Sequence, residues 1–256
     1  MKYCTKCGKN QEGIEKCAYC GGELKEYARG QEPEVMETEE ERRARIEAER
    51  LALNDFDIIK GVLVKYLGTS EKVVVPRMVK EIGKEAFKGK TMIKEVILPE
   101  RTSIIRESAF HSCSSLEKFT ISENIQTIEN CAFAYTGIKK AVIPKHLKTI
   151  SNNMFYGCTR LKEVVIEEGV ERIEAWAFYG CSALDDLTLP NGLRVIGSYA
   201  FNNCTLYEVY IPDSVTKIEI GAFAGSPKLL YVEVGKNTAF YADSFDVHTE
   251  VVVREE

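Results

Sequence analysis

Apolar residues recur along this chain with a fixed period. A phenylalanine returns every 22 or 23 residues, and an isoleucine stands five residues before each one. The seven phenylalanines are Phe87, Phe110, Phe133, Phe155, Phe178, Phe201 and Phe223. Such a period predicts stacked supersecondary units, none of which can bury its apolar face alone.

Each repeat also contains an alternating segment that predicts a β-strand. Written from that strand, the repeat is Leu-x-x-Val-x-Ile-Pro-x-x-Val-x-x-Ile-x-x-x-Ala-Phe-x-x-Cys, and residues 206–223 follow it closely. A proline can end a strand without disturbing its ladder, as the four at this position would do: Pro99, Pro144, Pro190 and Pro212. Two repeats lose one residue in the turn after the phenylalanine, before Ile138 and before Leu206.

The repeat resembles the BspA-like leucine-rich repeat family over about residues 55–235. The resemblance implies a mainly β, right-handed solenoid with short helical turns, a parallel sheet on one face and a role in protein binding. Family members are often displayed on microbial surfaces. Some positions depart from the pattern and are expected to weaken individual coils: Thr102 in an aliphatic position, and Ser122, Glu167 and Gly235 in the proline position.

The first 24 residues are too few to fold around an apolar core. Two Cys-x-x-Cys pairs supply four thiols: Cys4, Cys7, Cys17 and Cys20. Four thiolates at this spacing predict a short zinc ribbon, residues 1–24, that binds one structural Zn²⁺. A redox dithiol would need only one such pair.

Composition changes sharply after the cysteines. Residues 25–54 are rich in Glu, Arg and Ala, and the pairs Glu39–Arg43 and Glu41–Arg45 are spaced to support a helix. Apolar positions are too sparse for a coiled coil, so we predict a solvated helical linker. Residues 55–256 are then predicted to form the solenoid with N- and C-terminal caps.

Charge and hydropathy exclude several classes of protein. The net charge is −5 with 45% hydrophobic residues, and the ribbon carries few excess cations, which argues against a nucleic-acid binder. The N-terminus lacks the apolar run of a signal peptide, and no stretch is long enough for a membrane helix. We therefore expect a cytoplasmic, monomeric protein.

Alternation along the strands separates core positions from solvent-facing ones. With the third and fifth residues after the leading leucine turned inward, the second and fourth point outward. Acids and tyrosines gather in these outward columns late in the chain, and we predict a protein-binding face there, suited to a basic segment of the partner. Its residues are Glu163, Asp186, Glu208, Tyr210, Tyr231 and Glu233. Strands favour tyrosine and β-branched residues in any case, which is the alternative interpretation.

Two further groups of residues, cysteines and aromatic residues, lie at matching positions of neighbouring repeats. Four cysteines follow the repeat phenylalanine by three residues and are expected to pack in the core: Cys113, Cys158, Cys181 and Cys204. Cys131 lies outside that column. Four aromatic residues should cluster at the turn edge, where they cover the ends of the coils: Tyr156, Trp176, Tyr179 and Tyr199.

No catalytic motif is present around the three histidines, and no glycine-rich phosphate loop follows a strand. The sequence therefore predicts a non-enzymatic scaffold that binds a protein through the strand face. Two alternatives stay open at this point. The ribbon could associate with nucleic acid, or the chain could be a surface adhesin exported by an unconventional route.

Overall fold

The computed structural model describes residues 2–4, 10–11, 24–26 and 53–254. The chain divides into two compact units, 1–55 and 56–256. In the first unit, strands β1 (Lys2–Cys4), β2 (Asn10–Gln11) and β3 (Leu24–Glu26) form an antiparallel sheet in the order β2-β1-β3. Strand β3 includes residues on both sides of the boundary suggested after residue 24. Most of the predicted ribbon and linker lies outside the described residues.

A β-hairpin opens the second unit. Strands β4 (Phe56–Ile59) and β5 (Val62–Tyr66) are antiparallel and joined through Lys60 and Gly61, which have φ of 51° and 83°. Two positive φ angles match a hairpin turn whose twist suits the flanking strands. Strand β5 then pairs in parallel with the first strand of the repeats, so β4 lies at the sheet edge.

Each following coil contributes two short strands, which build two parallel faces. Face A consists of β6 (Lys72–Val74), β8 (Glu95–Ile97), β10 (Lys118–Phe119), β12 (Lys140–Ile143), β14 (Glu163–Ile166), β16 (Asp186–Thr188), β18 (Glu208–Tyr210), β20 (Tyr231–Val234) and β22 (Glu250–Val253). Face B consists of β7 (Glu81–Ile82), β9 (Ile104–Ile105), β11 (Thr127–Ile128), β13 (Thr149–Ile150), β15 (Arg172–Ile173), β17 (Val195–Ile196), β19 (Lys217–Ile218) and β21 (Ala239–Phe240). Equivalent residues of neighbouring coils lie opposite each other, as Ile173 and Ile196 do.

The observed architecture is a parallel β-solenoid, but it differs in two respects from the expected single sheet with short helical turns. Face B is a second parallel sheet, because the two residues ending at the repeat isoleucine are extended and pair with their equivalents. The segments after that isoleucine are hydrogen-bonded turns, and residues 54–254 contain no helix. Left-handed residues such as Trp176 (φ 62°) and Gly180 (φ 70°) interrupt each turn before a helix can form.

The described residues also include no helix long and apolar enough to cross a bilayer.

The repeat phenylalanines form the centre of the core, as predicted. All seven are at most 1% exposed, and consecutive rings from Phe87 to Phe223 stack with centroids 4.9 to 5.6 Å apart. The backbone continues this ladder, since Phe178 N–H donates to Ala200 O at 2.8 Å in the next coil. Each coil is therefore stabilised mainly by its neighbours.

The two shortened repeats interrupt the sheets. Between the coils of Phe133 and Phe155, β10 does not pair with β12, nor β11 with β13. Between the coils of Phe201 and Phe223, only face A is interrupted, between β16 and β18, while β17 and β19 stay paired. In both places the missing residue lies between the phenylalanine and the next strand of face A. The shorter connection cannot hold that strand in register.

Candidate functional site

Face A turns alternate side chains outward, as the sequence pattern predicted. On β18, Val209 is fully buried, whereas the following Tyr210 is 55% exposed, and Ile211 after it is fully buried. Strands β12 and β14 show the same alternation. The first, second and fourth residues after the leading leucine therefore form the outer surface of face A.

In the earlier coils the first two of these positions carry charges that pair between neighbouring coils. Lys94 Nζ lies 2.8 Å from Glu71 Oε2, and Lys139 Nζ lies 2.8 Å from Glu117 Oε2. These pairs are exposed, so each contributes little to stability. Their main effect is to leave little uncompensated charge on this part of face A.

The last coils replace this charged ladder with aromatic and aliphatic side chains. Tyr207 and Leu230 hold the first position, Tyr231 the second and Tyr210 the fourth. Tyr207 and Leu230 are 53% and 62% exposed, and the Tyr210 and Tyr231 rings lie 6.2 Å apart. These four residues are called the tyrosine patch below. Exposed tyrosine and leucine at neighbouring positions are typical of the centre of a protein interface.

Carboxylates border the tyrosine patch and bond to its hydroxyls. Tyr210 Oη–H donates to Glu208 Oε2 at 3.4 Å, and Tyr231 Oη–H donates to Glu233 Oε2 at 3.2 Å. The negative charge of Glu208 raises the pKa of Tyr210, while partial burial and then the charge of Glu233 raise the pKa of Tyr231. Both phenols are therefore neutral donors near neutral pH.

Not all acids of the predicted site are free to meet a partner. Glu163 pairs with Lys140, and Glu233 Oε1 lies 3.1 Å from Arg254 Nη1. Asp186 and Glu208 have no basic partner within residues 53–254. These two carboxylates lie near the tyrosine patch, where Lys228 Nζ also donates to Tyr207 Oη at 3.1 Å.

The six residues predicted to bind a partner fall into two groups. Four lie together on β18 and β20: Glu208, Tyr210, Tyr231 and Glu233. The other two, Glu163 and Asp186, are opposite each other on β14 and β16. The interruption between β16 and β18 separates the two groups, which the sequence pattern did not predict.

A groove of about 460 Å³ opens at this interruption. Thr188 lines one side, and Tyr210, Asp213 and Arg254 line the other. Arg254 Nη2 lies 2.7 Å from Asp213 Oδ1, and this hydrogen bond raises the pKa of the guanidinium. Arg254 is therefore already paired with an acid of its own chain. The groove gives the tyrosine patch a concave border.

Sequence reasoning missed Tyr207 and Leu230. The signal was present in the column of first positions, which is charged from Glu71 to Asp185 and then becomes Tyr207 and Leu230. Alternation within the strand identifies only the second and fourth positions as outward. A first-position side chain was missed because it precedes the strand and its orientation depends on the bend before it.

The buried cysteine column belongs to the core, as predicted. Each thiol donates to the carbonyl oxygen of the repeat phenylalanine of the preceding coil, at 3.0 to 3.5 Å: Cys113, Cys158, Cys181 and Cys204. Burial raises their pKa values, to about 12 for Cys113 and Cys204. Neutral buried thiols are neither nucleophiles nor metal ligands. Cys131, outside the column, is partly exposed.

One contact resembles part of a catalytic site. Ser112 Oγ lies 2.8 Å from His111 Nδ1, and burial lowers the pKa of this histidine, so the imidazole is neutral at pH 7. A triad would also need a carboxylate on the other ring nitrogen. Within residues 53–254 no carboxylate is bonded there, so this pair of neighbours is not a triad.

The predicted zinc site cannot be placed in the same way. Cys7, Cys17 and Cys20 lie outside the described residues, and Cys4 lies at the end of β1. The described part of the chain holds no group of three or more potential metal ligands.

Comparison with known proteins identifies the repeats. The sequence model of the BspA type Leucine rich repeat region matches residues 65–184 and 148–248. A leucine-rich repeat protein from Eubacterium ventriosum is 29% identical, with a TM-score of 0.60 over 65% of this chain and 46% of that chain. A leucine rich cell surface protein from Faecalibacterium prausnitzii is 20% identical, with a TM-score of 0.53 over 75% of this chain and 72% of that chain.

No curated protein matches the sequence. The chain spans about half the length of the Eubacterium ventriosum structure, so the likeness identifies repeats and fold rather than a whole protein's activity. The family match covers well over half of the chain, and the second structure shares the same solenoid fold. The chain therefore belongs to the BspA-type leucine-rich repeat family.

Proposed function

We propose that the chain is a non-enzymatic protein-interaction module whose partner binds the tyrosine patch and its bordering acids. One observation carries this proposal. The first outer column of face A is charged from Glu71 to Asp185 and then holds the exposed Tyr207 and Leu230. A purely structural face has no need for this change, because the earlier coils pack the same core beneath charged residues at the first position.

The chemistry of the patch indicates the kind of partner. Tyrosine provides a large contact area while losing few rotamers on binding. At the centre of an interface, such a residue contributes about 2 kcal/mol or more to the binding free energy. The unpaired carboxylates of Asp186 and Glu208 would attract a basic segment and speed its association. The partner is therefore a protein segment that combines basic and apolar side chains.

Site-specific photo-cross-linking in the native cell tests this proposal. A benzophenone amino acid placed at Tyr210 should capture a discrete protein product, whereas the same amino acid at Lys118, the outer surface of an earlier coil, should not. Equal products from both positions, or none from Tyr210, would contradict it. A captured partner whose cross-linked peptide lacks Lys and Arg would contradict the basic segment alone.

The N-terminal cysteines support a second, separate proposal. We infer that Cys4, Cys7, Cys17 and Cys20 bind one structural Zn²⁺. Two Cys-x-x-Cys pairs support it, and so does the antiparallel sheet of β1, β2 and β3, of which β1 ends at Cys4. A tetrahedral site of four thiolates leaves no position for a substrate, so the ion would stabilise the fold rather than react.

Elemental analysis of freshly purified, reduced protein measures this directly. We expect one zinc per chain, lost in Cys17→Ser and retained in the matched variant Cys131→Ser. A chelator should change only the N-terminal signals in an NMR spectrum, since the binding and folding energies of such sites coincide. Protein that contains no stoichiometric zinc would exclude the site.

A further inference from the structure

A second group of aromatic residues, one exposed and four partly buried, lies on the turn edge of the solenoid. It consists of Tyr135, Tyr156, Trp176, Tyr179 and Tyr199, called the aromatic strip below. The strip runs across four consecutive coils without a gap. Ring centroids are 5.3 Å apart for Tyr135 and Tyr156, 4.9 Å for Tyr156 and Tyr179, and 4.5 Å for Trp176 and Tyr199.

Three members of the strip occupy unfavourable backbone positions. Tyr135, Trp176 and Tyr199 have φ of 58°, 62° and 56°. Bulky residues in the left-handed region cost free energy, and the equivalent positions of other coils hold small or less bulky residues, such as Asn153, Gly157 and Gly221. The fold requires the left-handed backbone in every coil, but it does not require an aromatic side chain there.

Neighbouring glycines make room for two of these rings. A Cβ atom built on Gly157 would lie 2.6 Å from the Tyr135 ring, and one built on Gly221 would lie 2.4 Å from the Tyr199 ring. Each ring therefore lies against the backbone of the next coil. The aromatic strip is a continuous, closely packed surface rather than a set of mobile side chains.

The strip is also uncharged, in a chain of which 29% of residues are charged. In its four coils, residues 131–135, 153–157, 176–180 and 199–203 include no Asp, Glu, Lys or Arg. The first coil holds Glu85 and Lys88 at the equivalent turn. A charged ligand would find no counter-ion here, so the strip fits a neutral ligand.

The strip also contains hydrogen-bond donors. The Trp176 indole N–H and the Tyr179 and Tyr199 hydroxyls have no acceptor within residues 53–254. A ligand suited to the strip would therefore offer acceptors along an apolar, uncharged chain. A polyproline II helix has this chemistry, because its backbone carbonyls make no internal hydrogen bonds and its pyrrolidine rings are apolar.

We propose that the aromatic strip binds a proline-rich segment of a protein in the polyproline II conformation, along the solenoid axis. The periods agree: one turn of that helix rises about 9.3 Å, and two coil spacings are about 9.6 Å. A proline on each turn would meet rings two coils apart, Tyr135 and Tyr179 or Tyr156 and Tyr199. Aromatic surfaces with a few donors are the usual docking sites for such segments, which lose little entropy on binding.

A neutral glycan is the other uncharged ligand class to consider. Its hydroxyls are hydrogen-bond acceptors, and its rings have apolar faces. Sugar rings stack on the faces of aromatic rings. In the strip those faces are covered by neighbouring rings, since Tyr156 and Tyr179 are 11° from parallel. The facing surfaces of Tyr156 and Tyr179 are not open to a sugar ring, which favours a peptide whose carbonyls accept from the donors of the strip.

The chain contains a single tryptophan, Trp176, so its fluorescence reports on the strip directly. The probe is a fluorescein-labelled oligoproline. The four coils of the strip span about 15 Å, a length that about five residues of a polyproline II helix cover. We expect saturable binding by anisotropy, and a shift of Trp176 emission with the unlabelled peptide. A Gly/Ser peptide of equal length should do neither.

Tyr199→Asn separates binding from folding, because Asn tolerates the left-handed backbone that Tyr199 adopts. We expect its melting temperature to be unchanged or higher and its peptide affinity to fall about tenfold or more. Tyr207→Ala, on face A, should bind the peptide as the parent does. Several results would overturn the proposal: no saturable binding, equal binding of the Gly/Ser peptide, an emission shift caused by a neutral oligosaccharide instead, or full affinity in Tyr199→Asn.

Discussion

At the scale of single residues, the repeat phenylalanines make the largest individual contribution to stability. Phe178 is fully buried, and its ring lies 5.4 Å from Phe155 and 5.1 Å from Phe201. Phe178→Ala should lower the free energy of unfolding by about 3–5 kcal/mol, through lost apolar burial and the cavity left behind. Urea denaturation measures this. Val165→Ala, on the outer surface of face A, is the matched control and should change stability by about 0.5 kcal/mol or less.

The buried cysteines should be chemically inert while Cys131 is not. Cys113 and Cys181 are fully buried, whereas Cys131 is partly exposed. Alkylation of the folded protein, mapped by mass spectrometry, should modify Cys131 first and leave the column intact until the solenoid unfolds. Modification of Cys181 at the rate of Cys131 would show that the thiol column is open to solvent.

The same thiols predict a loss of stability in alkali. Burial raises the pKa of Cys158 from its ordinary 9.0 to about 11, and those of Cys113 and Cys204 to about 12. Above pH 9 the unfolded chain releases these protons while the folded chain retains them, so the unfolded state binds fewer protons and stability falls as pH rises. Below pH 9 the column contributes no pH dependence. Cys181→Ser should reduce the alkaline slope in denaturation curves measured between about pH 8 and 11, the window in which the unfolded chain loses these protons.

Two residues that break the sequence pattern still take part in hydrogen bonds of the solenoid. Thr102, in an aliphatic position, is fully buried, but its hydroxyl donates to Val79 O at 3.1 Å. Ser122, in the proline position, still accepts the turn hydrogen bond from Ile125 N–H at 3.1 Å. The pattern shows which positions are inward. It does not show that a backbone carbonyl of the preceding coil lies close enough to accept a hydrogen bond from a hydroxyl at that position.

At the scale of elements, the sequence predicted the strands of face A well and those of face B not at all. Face A strands have a clear alternation of buried and exposed residues, whereas the strands of face B between β7 and β21 are only two residues long. Two residues are too few for any period to be recognised. Their extended conformation depends on pairing with the neighbouring coils, which is a property of the stack.

The interruption between β10 and β12 should be visible in hydrogen exchange. Glu163 N–H donates to Lys139 O, while the equivalent Lys140 N–H has no backbone acceptor within residues 53–254. The Lys140 amide should therefore exchange faster than the Glu163 amide, its matched control one coil later. NMR-detected exchange resolves the two. Equal protection of both amides would show that the strands are paired in solution.

At the scale of the whole molecule, the solenoid offers two separate surfaces, the tyrosine patch on face A and the aromatic strip on the turn edge. The period was enough to predict the stack and the outward columns. It could not predict which acids remain free, because Glu163 and Glu233 are engaged by Lys140 and Arg254 from other coils. Charge pairing between coils depends on side-chain reach, which a one-dimensional pattern does not contain.

The central claim is that recognition belongs to the tyrosine patch, and the affinity for the partner captured at Tyr210 tests it most directly. We expect Tyr210→Ala and Tyr231→Ala each to weaken binding by up to about 2 kcal/mol, with an unchanged free energy of unfolding. Tyr135→Ala on the turn edge and Cys17→Ser in the N-terminal unit should keep the affinity of the parent. Full affinity in both tyrosine-patch variants, together with its loss in Cys17→Ser, would place recognition in the N-terminal unit and contradict the account.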